Sequence, residues 1–204
     1  DQYGPVREEA GKILEKSGLD TETPEFKKAR ANVARRVLEE RSVGEVDTLT
    51  GLRNLRGFQR RVSEEIRRAK SEGHRLWLFI LDANNLKVVN DTQGHGKGDE
   101  LLKGIAEILG GKSKARDVVA RIGGDEFAVL LTATNEDGVE KYWERMETYF
   151  KGIRVSVAAG VTEFRIGEEF DQAKERADES MYKAKEYQKE ESGRPFAHLV
   201  RRYE

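Results

Sequence analysis

The chain has 204 residues, 37% apolar and 37% charged, with acids and bases nearly cancelling to a net charge of -1; this admits one sizeable core plus an appendage and gives no reason to expect a nucleic-acid-binding surface, which needs a clustered basic excess. With no cysteine, disulfides and thiolate metal sites are excluded. The longest wholly apolar run, LWLFIL, is far too short to span a bilayer and the first residues lack an apolar signal-peptide core, so a soluble, cytoplasmic protein with no membrane partner is expected.

The first 46 residues read as a helical extension. GPVREEAGKILEKSG reads as a short helix with Val6, Ala10, Ile13 and Leu14 on one face and Gly18 closing it. A second helix starts at TETPEF, with Thr23 as N-cap and Pro24 at the first helical position. It carries Phe26, Ala29, Val33 and Val37 at spacings of three and four on an otherwise charged surface. Two readings stand: a helix packed on the main domain, or the end of a dimerising or signal-transmitting helix.

From Asp47 to the C-terminus, residues 47–204, helical and extended patterns alternate. Phe58, Val62, Ile66 and Ala69 mark a helix, and RLWLFILDA a buried strand. Leu101, Leu102, Ile105, Ile108 and Leu109 mark the next helix, expected to begin near Lys97 or Gly98. A hairpin follows, two apolar segments around Gly123, Gly124, Asp125 and Glu126. Val139, Trp143, Met146 and Phe150 form a helical stripe, and IRVSVAAGVTEF a further strand. Phe170, Ala173, Ala177, Met181 and Ala184 define a long helix, and RPFAHLVRR a last edge strand, since Pro195 is tolerated only at a strand start or edge. The alternation argues for a single α/β or α+β domain with helices covering the sheet.

The chemistry concentrates at two places. The apolar strand ends in Asp82, followed by Asn84, Asn85, Lys87, Asn90 and Asp91. Ligands gather outside strand ends in such sheets. If the strand lies beside the hairpin, Asp82 faces Asp125, and two converging carboxylates need a hard divalent cation between them, Mg2+ being the usual choice. The alternative is that Asp82 caps the following helix while Asp125 and Glu126 are turn residues. In NDTQGHGKGDELL a glycine-rich turn feeds a helix, but neither nucleotide-binding glycine fingerprint fits, so a P-loop is rejected. Asn90 and Asp99 stand out there: a carboxylate accepts both the ring N–H and the amino group of guanine, and an amide both donates and accepts. Asp99 also reads as a first-turn acid favoured by the helix dipole. Lys87 and Lys185 are candidate phosphate partners.

Together and in order, DTLTGLRNLRGF (residues 47–58), LDANNLKVVNDTQGHGKGDELL (81–102), RIGGDEF (121–127), SVAAGV (156–161) and ADESMYKAK (177–185) resemble the GGDEF domain of the diguanylate cyclase family over about residues 47–190. The resemblance implies an α+β fold, a palm-like βαββαβ core with a mostly antiparallel sheet flanked by helices. It also implies condensation of two GTP into cyclic di-GMP with release of two pyrophosphates, in a homodimer whose two domains meet face to face. Carried over, Asp82, the carbonyl of Ala83 and Asp125 bind Mg2+, two ions per GTP, with Mn2+ as a substitute. Asn90 and Asp99 read guanine. Lys87, Lys185 and backbone N–H groups near Asn85 and Leu86 hold phosphates. Glu126 assists deprotonation of the 3′-hydroxyl, and Gly123 and Gly124 allow close approach of the backbone to the α-phosphate. The alternative is a catalytically silent module binding GTP or cyclic di-GMP.

Departures from the family pattern bear on these expectations. Asn84 stands where a second Asp is usual, and Leu86 where an aromatic is. The G-R-N block after YKAK is missing; Lys189 takes the Arg position and Arg194 follows five residues later. The R-x-x-D product-inhibition site becomes Lys114-Ala-Arg-Asp117, so feedback inhibition is expected to be weak or absent. No recognisable sensor lies in residues 1–46, which leaves an upstream sensor outside this chain or dimerisation by the N-terminal helices.

Overall fold

The computed structural model describes residues 8, 12, 23, 24, 26–32 and 44–190, with residues 184–190 described by their backbone. The chain forms two compact units, Asp1–Val46 and Asp47–Glu204. In the first, Thr23 caps as its sequence context predicts: its Oγ1 accepts the Phe26 N–H at 3.2 Å, and residues 26–32 are helical. The edge strand expected over residues 194–202 lies outside the described residues.

The second unit runs α1 (Leu55–Glu72), β1 (Leu76–Ala83), α2 (Leu86–Gln93), α3 (His95–Lys112), β2 (Val118–Arg121), β3 (Glu126–Thr132), α4 (Glu136–Gly152), β4 (Val157–Phe164) and α5 (Phe170–Glu190). Asn54 starts α1 by accepting the Gly57 N–H, and Gly73, left-handed at φ 69, ends it. Asn135 caps α4 in the same way. Helix α3 begins at His95, earlier than expected, because the break falls at Gly94, where φ 85 and ψ 160 part α2 from α3. Only Gly94 of the three glycines lies in the turn; Gly96 and Gly98 are helical.

The strands form one antiparallel sheet in the order β2-β3-β1-β4, the arrangement the resemblance implies. β1, hydrogen-bonded on both edges, is buried from Leu76 to Leu81. Its odd positions Trp77, Phe79 and Leu81 join Phe127, Val129 and Leu131 of β3 against Leu102, Ile105 and Leu109 of α3 and Trp143 and Met146 of α4. Its even positions Leu76, Leu78 and Ile80 face Phe58 and Val62 of α1 and Ala173 and Ala177 of α5. Two layers of helices thus cover the sheet, which is why its strands read as continuous apolar runs.

Gly160 explains the glycine in SVAAGV. It lies on β4 opposite Ile80, and a Cβ there would sit 1.9 Å from the Ala177 carbonyl oxygen and 2.6 Å from the Met181 nitrogen. The bare strand lets the backbone of α5 rest directly on the sheet. Before α1, Asp47 organises a turn: its Oδ1 accepts the Thr50 N–H at 2.9 Å and hydroxyl at 2.6 Å, and Gly51 turns the chain at φ 72. Arg121, the last residue of β2, donates to Asp47 and, from Nε and Nη2, to the Gly124 carbonyl at 3.1 and 2.7 Å. One guanidinium therefore ties the hairpin turn to the segment before α1. Burial works to raise the Asp47 pKa, but the hydrogen bonds from Thr50 and the Arg121 guanidinium outweigh it and hold the carboxyl below its ordinary value.

Two outcomes follow for stability. Gly160→Ala should cost about 2–4 kcal/mol in chemical denaturation, because backbone atoms must move to admit the methyl group; an unchanged midpoint contradicts the packing. Since the Asp47 pKa is depressed, its stabilisation is complete above the ordinary carboxylate value and is lost as pH falls through the folded value. Asp47→Asn should therefore flatten the acid arm of a stability–pH curve, measured by thermal unfolding between about pH 2 and 6.

Candidate active site

The sheet register decides which acids meet. Asp82, half-buried at the penultimate position of β1, lies opposite Glu126, the first residue of β3. Asp125, expected to face it, lies one position further out, beside Ala83, whose N–H donates to the Asp125 carbonyl at 3.0 Å. The shift arises in the turn, where the Ile122 and Gly123 N–H groups both donate to the Glu126 carbonyl, at 2.9 and 3.3 Å, and so start the strand at Glu126. Paired residues share a face, so Asp82 and Glu126 both look toward α1 and α5. There the Lys174 ammonium of α5 sits 3.4 Å from Glu126 Oε1 and 2.9 Å from Asp178 Oδ2. Burial works to lower the Lys174 pKa, and the two carboxylates more than reverse this, leaving it raised.

The glycine pair has a specific geometry. Neither Gly123 nor Gly124 adopts a positive φ, so the turn itself does not demand them. A Cβ on Gly123 would lie 2.9 Å from Glu126 Oε2, whereas the space around Gly124 is open for 4 Å. The exposed Gly124 backbone is thus accessible to a ligand.

After β1 the chain makes a left-handed step at Asn85, φ 64, into α2. Asn85, the residue at the N-cap position of α2, makes no side-chain cap hydrogen bond. The Asn84 amide donates to Ser156 Oγ at 3.0 Å and its N–H to the Ser156 carbonyl at 3.0 Å, a structural use of the departure at this position. Leu86 packs against the core, and Lys87 is exposed. Asn90 Oδ1 is buried with no hydrogen-bond partner among the described residues. It rests against Gly98, where a Cβ would come within 2.0 Å of it. Asp99 is exposed on α3 beyond the first turn, so the helix-dipole reading fails. Lys185 and Lys189 lie on α5, Lys185 one turn past Met181; Arg194 lies outside the described residues.

No cluster of three or more metal-ligating side chains occurs among the described residues. Asp82, Asp125 and the Ala83 carbonyl would offer oxygen donors only, the chemistry that suits a hard cation such as Mg2+ when waters and substrate phosphates complete its shell.

At the far end of the sheet lies a cavity of about 210 Å3 lined by Lys114, Asp117, Lys141, Tyr142 and Arg145 among others. Asp117 accepts the Lys114 N–H at 2.8 Å and the Thr132 N–H at 3.1 Å; burial raises its pKa against these bonds. Lys141 and Arg145 escaped the sequence reading because they belong to a separate helix. Arg121, Lys174 and Gly98 also escaped it, since their partners lie elsewhere in the chain or, for Gly98, a full turn and more away. Among the described residues no helix is long and apolar enough to cross a membrane.

Comparison with known proteins accords with this geometry. The family model for the diguanylate cyclase GGDEF domain matches residues 45–191. The chain is 36% identical over 156 residues to the diguanylate cyclase DgcP of Pseudomonas aeruginosa, covering 72% of this chain and 23% of that protein. It is 33% identical to DgcS of Shewanella oneidensis, covering 68% and 49%. The chain therefore spans between about a quarter and a half of these curated relatives. Among solved structures, the diguanylate cyclase SiaD of P. aeruginosa, in complex with its activator SiaC, superimposes with a TM-score of 0.66 at 31% identity, covering 89% of this chain and 75% of that one. The coiled coil and GGDEF domain of DgcB from Caulobacter crescentus, in complex with c-di-GMP, gives 0.68 at 26% identity, covering 79% and 91%. With the family model spanning most of its length and the acids gathered at one end of its antiparallel sheet, this chain belongs to the GGDEF-domain family of diguanylate cyclases.

Proposed function

We propose that the chain condenses two GTP into cyclic di-GMP at a site completed when two copies meet face to face. The observation that carries this reading is the β1–β3 register, which gathers Asp82, Asp125 and Glu126 at one end of the sheet. Asn90 and Asp99 would read the guanine edge, the buried and unpartnered Asn90 Oδ1 being an acceptor that awaits a donor. Lys87, Lys185 and the N–H groups near Asn85 and Leu86 would hold phosphates, and the open Gly124 backbone would lie against the α-phosphate. Asp82, Asp125 and the Ala83 carbonyl would hold Mg2+, or Mn2+, which when bound neutralises charge on the phosphates. Glu126 would take the proton of the 3′-hydroxyl. The 3′-oxygen then forms a bond to the partner molecule's α-phosphorus as the α–β phosphoanhydride bond breaks, and pyrophosphate leaves; the same exchange in the other direction closes the ring.

Residues 1–46 would serve as a dimerising or signal-transmitting extension of the domain that begins at Asp47, linked to a sensor, in a cytoplasmic protein that acts on neither nucleic acid nor membrane. At the far cavity, Asp117 is already engaged by two backbone N–H groups and Lys114 replaces a bidentate Arg, which supports weak feedback.

Incubation with GTP and Mg2+ should yield cyclic di-GMP with a rate per chain that rises with protein concentration, and Asp125→Ala or Glu126→Gln should lower it by about 100-fold or more. No product at concentrations where mass measurement shows dimers overturns the reading; tight GTP binding without turnover selects the silent module. Gly98→Ala should weaken GTP binding about tenfold while the fold persists, because the methyl group displaces Asn90. Low-micromolar product inhibition that Lys114→Ala abolishes would contradict the weak-feedback expectation.

A further inference from the structure

We propose that Lys174 is a built-in counter-cation for Glu126, where the start of β3 meets the end of β1, holding Glu126 until a divalent cation displaces it. The inference rests on the proposed reading of this site as one that takes a metal-bound nucleotide.

Asp82 and Glu126 are directly opposed across an antiparallel pair, the placement in which like charges destabilise a sheet. A divalent cation is one solution. The fold supplies another from within: the Lys174 ammonium, 3.4 Å from Glu126 Oε1. Lys174 keeps one-quarter of its side-chain exposure and Glu126 about one-third, so their attraction is partly screened and the hold is weak. A doubly charged ion is therefore able to outcompete it.

The ammonium also has somewhere to go. Asp178, one turn along α5, already accepts from it at 2.9 Å through Oδ2, and Asp178 Oδ1 is buried with no hydrogen-bond partner among the described residues. When Glu126 turns to the cation and substrate, Lys174 retreats onto Asp178 and remains paired. Lys174 is thus a positioning residue: it acts through Glu126 and sets the affinity of the site for cations without itself touching the substrate.

Mn2+ binding measured directly by electron paramagnetic resonance, without nucleotide, tests this. Lys174→Met should bind Mn2+ about threefold to tenfold more tightly than the unaltered chain, the effect of removing one partly screened charge, and Lys174→Arg should match the unaltered chain. Lys103→Gln, on exposed α3, removes a charge remote from Glu126 and should leave the affinity unchanged. Lys174→Gln serves as a second variant should the Met form fail to fold, as judged by circular dichroism. Equal Mn2+ affinity in the unaltered, Lys174→Met and Lys174→Gln proteins, including undetectable binding by all, overturns the proposal, as does an equal gain in Lys103→Gln. Absence of cyclic di-GMP synthesis alongside an intact Mn2+ difference would instead overturn the cyclase reading and leave the counter-cation role standing.

Discussion

The central strand β1 is hydrogen-bonded along both edges and buried under helices on both faces from Leu76 to Leu81. No charge is tolerated within it at reasonable cost, so Asp82 is the first position along the strand at which an acid can be accommodated. Everything chemical is arranged outward from that limit. The chain turns left-handed at Asn85 into α2 and α3, which carry Asn90 and Asp99, and the β2–β3 hairpin brings its own acids up beside the strand end. A fully buried central strand is thus both the anchor of the core and the device that forces polar residues to collect at one end.

The acids of the domain are handled by separate local means. Asp47 is stabilised by Thr50 and Arg121, Glu126 by Lys174, and Asp117, at the opposite end, by two backbone N–H groups. Arg121 deserves its place at the end of β2 because a planar guanidinium can reach a carboxylate with one arm and a carbonyl with the others. It joins the Gly124 turn to the segment leading into α1, so the hairpin is braced from outside the sheet while its tip stays bare.

Much of this was legible in the sequence. Continuous apolar runs gave the strands, threefold and fourfold spacings gave the helices, and Thr23 showed its cap directly. The ordered motifs alone carry the resemblance to the family. What the sequence did not disclose depended on register or on distant partners. The pairing of Asp82 with Glu126 instead of Asp125 is set by how the hairpin turn closes on the Glu126 carbonyl, and the side-chain period of two leaves such a one-residue choice open. The break between α2 and α3 falls at one of three nearby glycines, and only backbone geometry distinguishes Gly94. Lys174 looked like any helical lysine, because the carboxylate it meets lies 48 positions away.

The contact at Gly160 has a mechanical meaning. Because α5 touches the sheet backbone to backbone at Ala177 and Met181, the helix is fixed near its middle. Lys185 stands one turn beyond that point, a lever arm of about 6 Å at 1.5 Å per residue. Over so short an arm, a small tilt of the helix translates into little displacement of the residue. The backbone carrying Lys185 thus inherits the precision of strand packing.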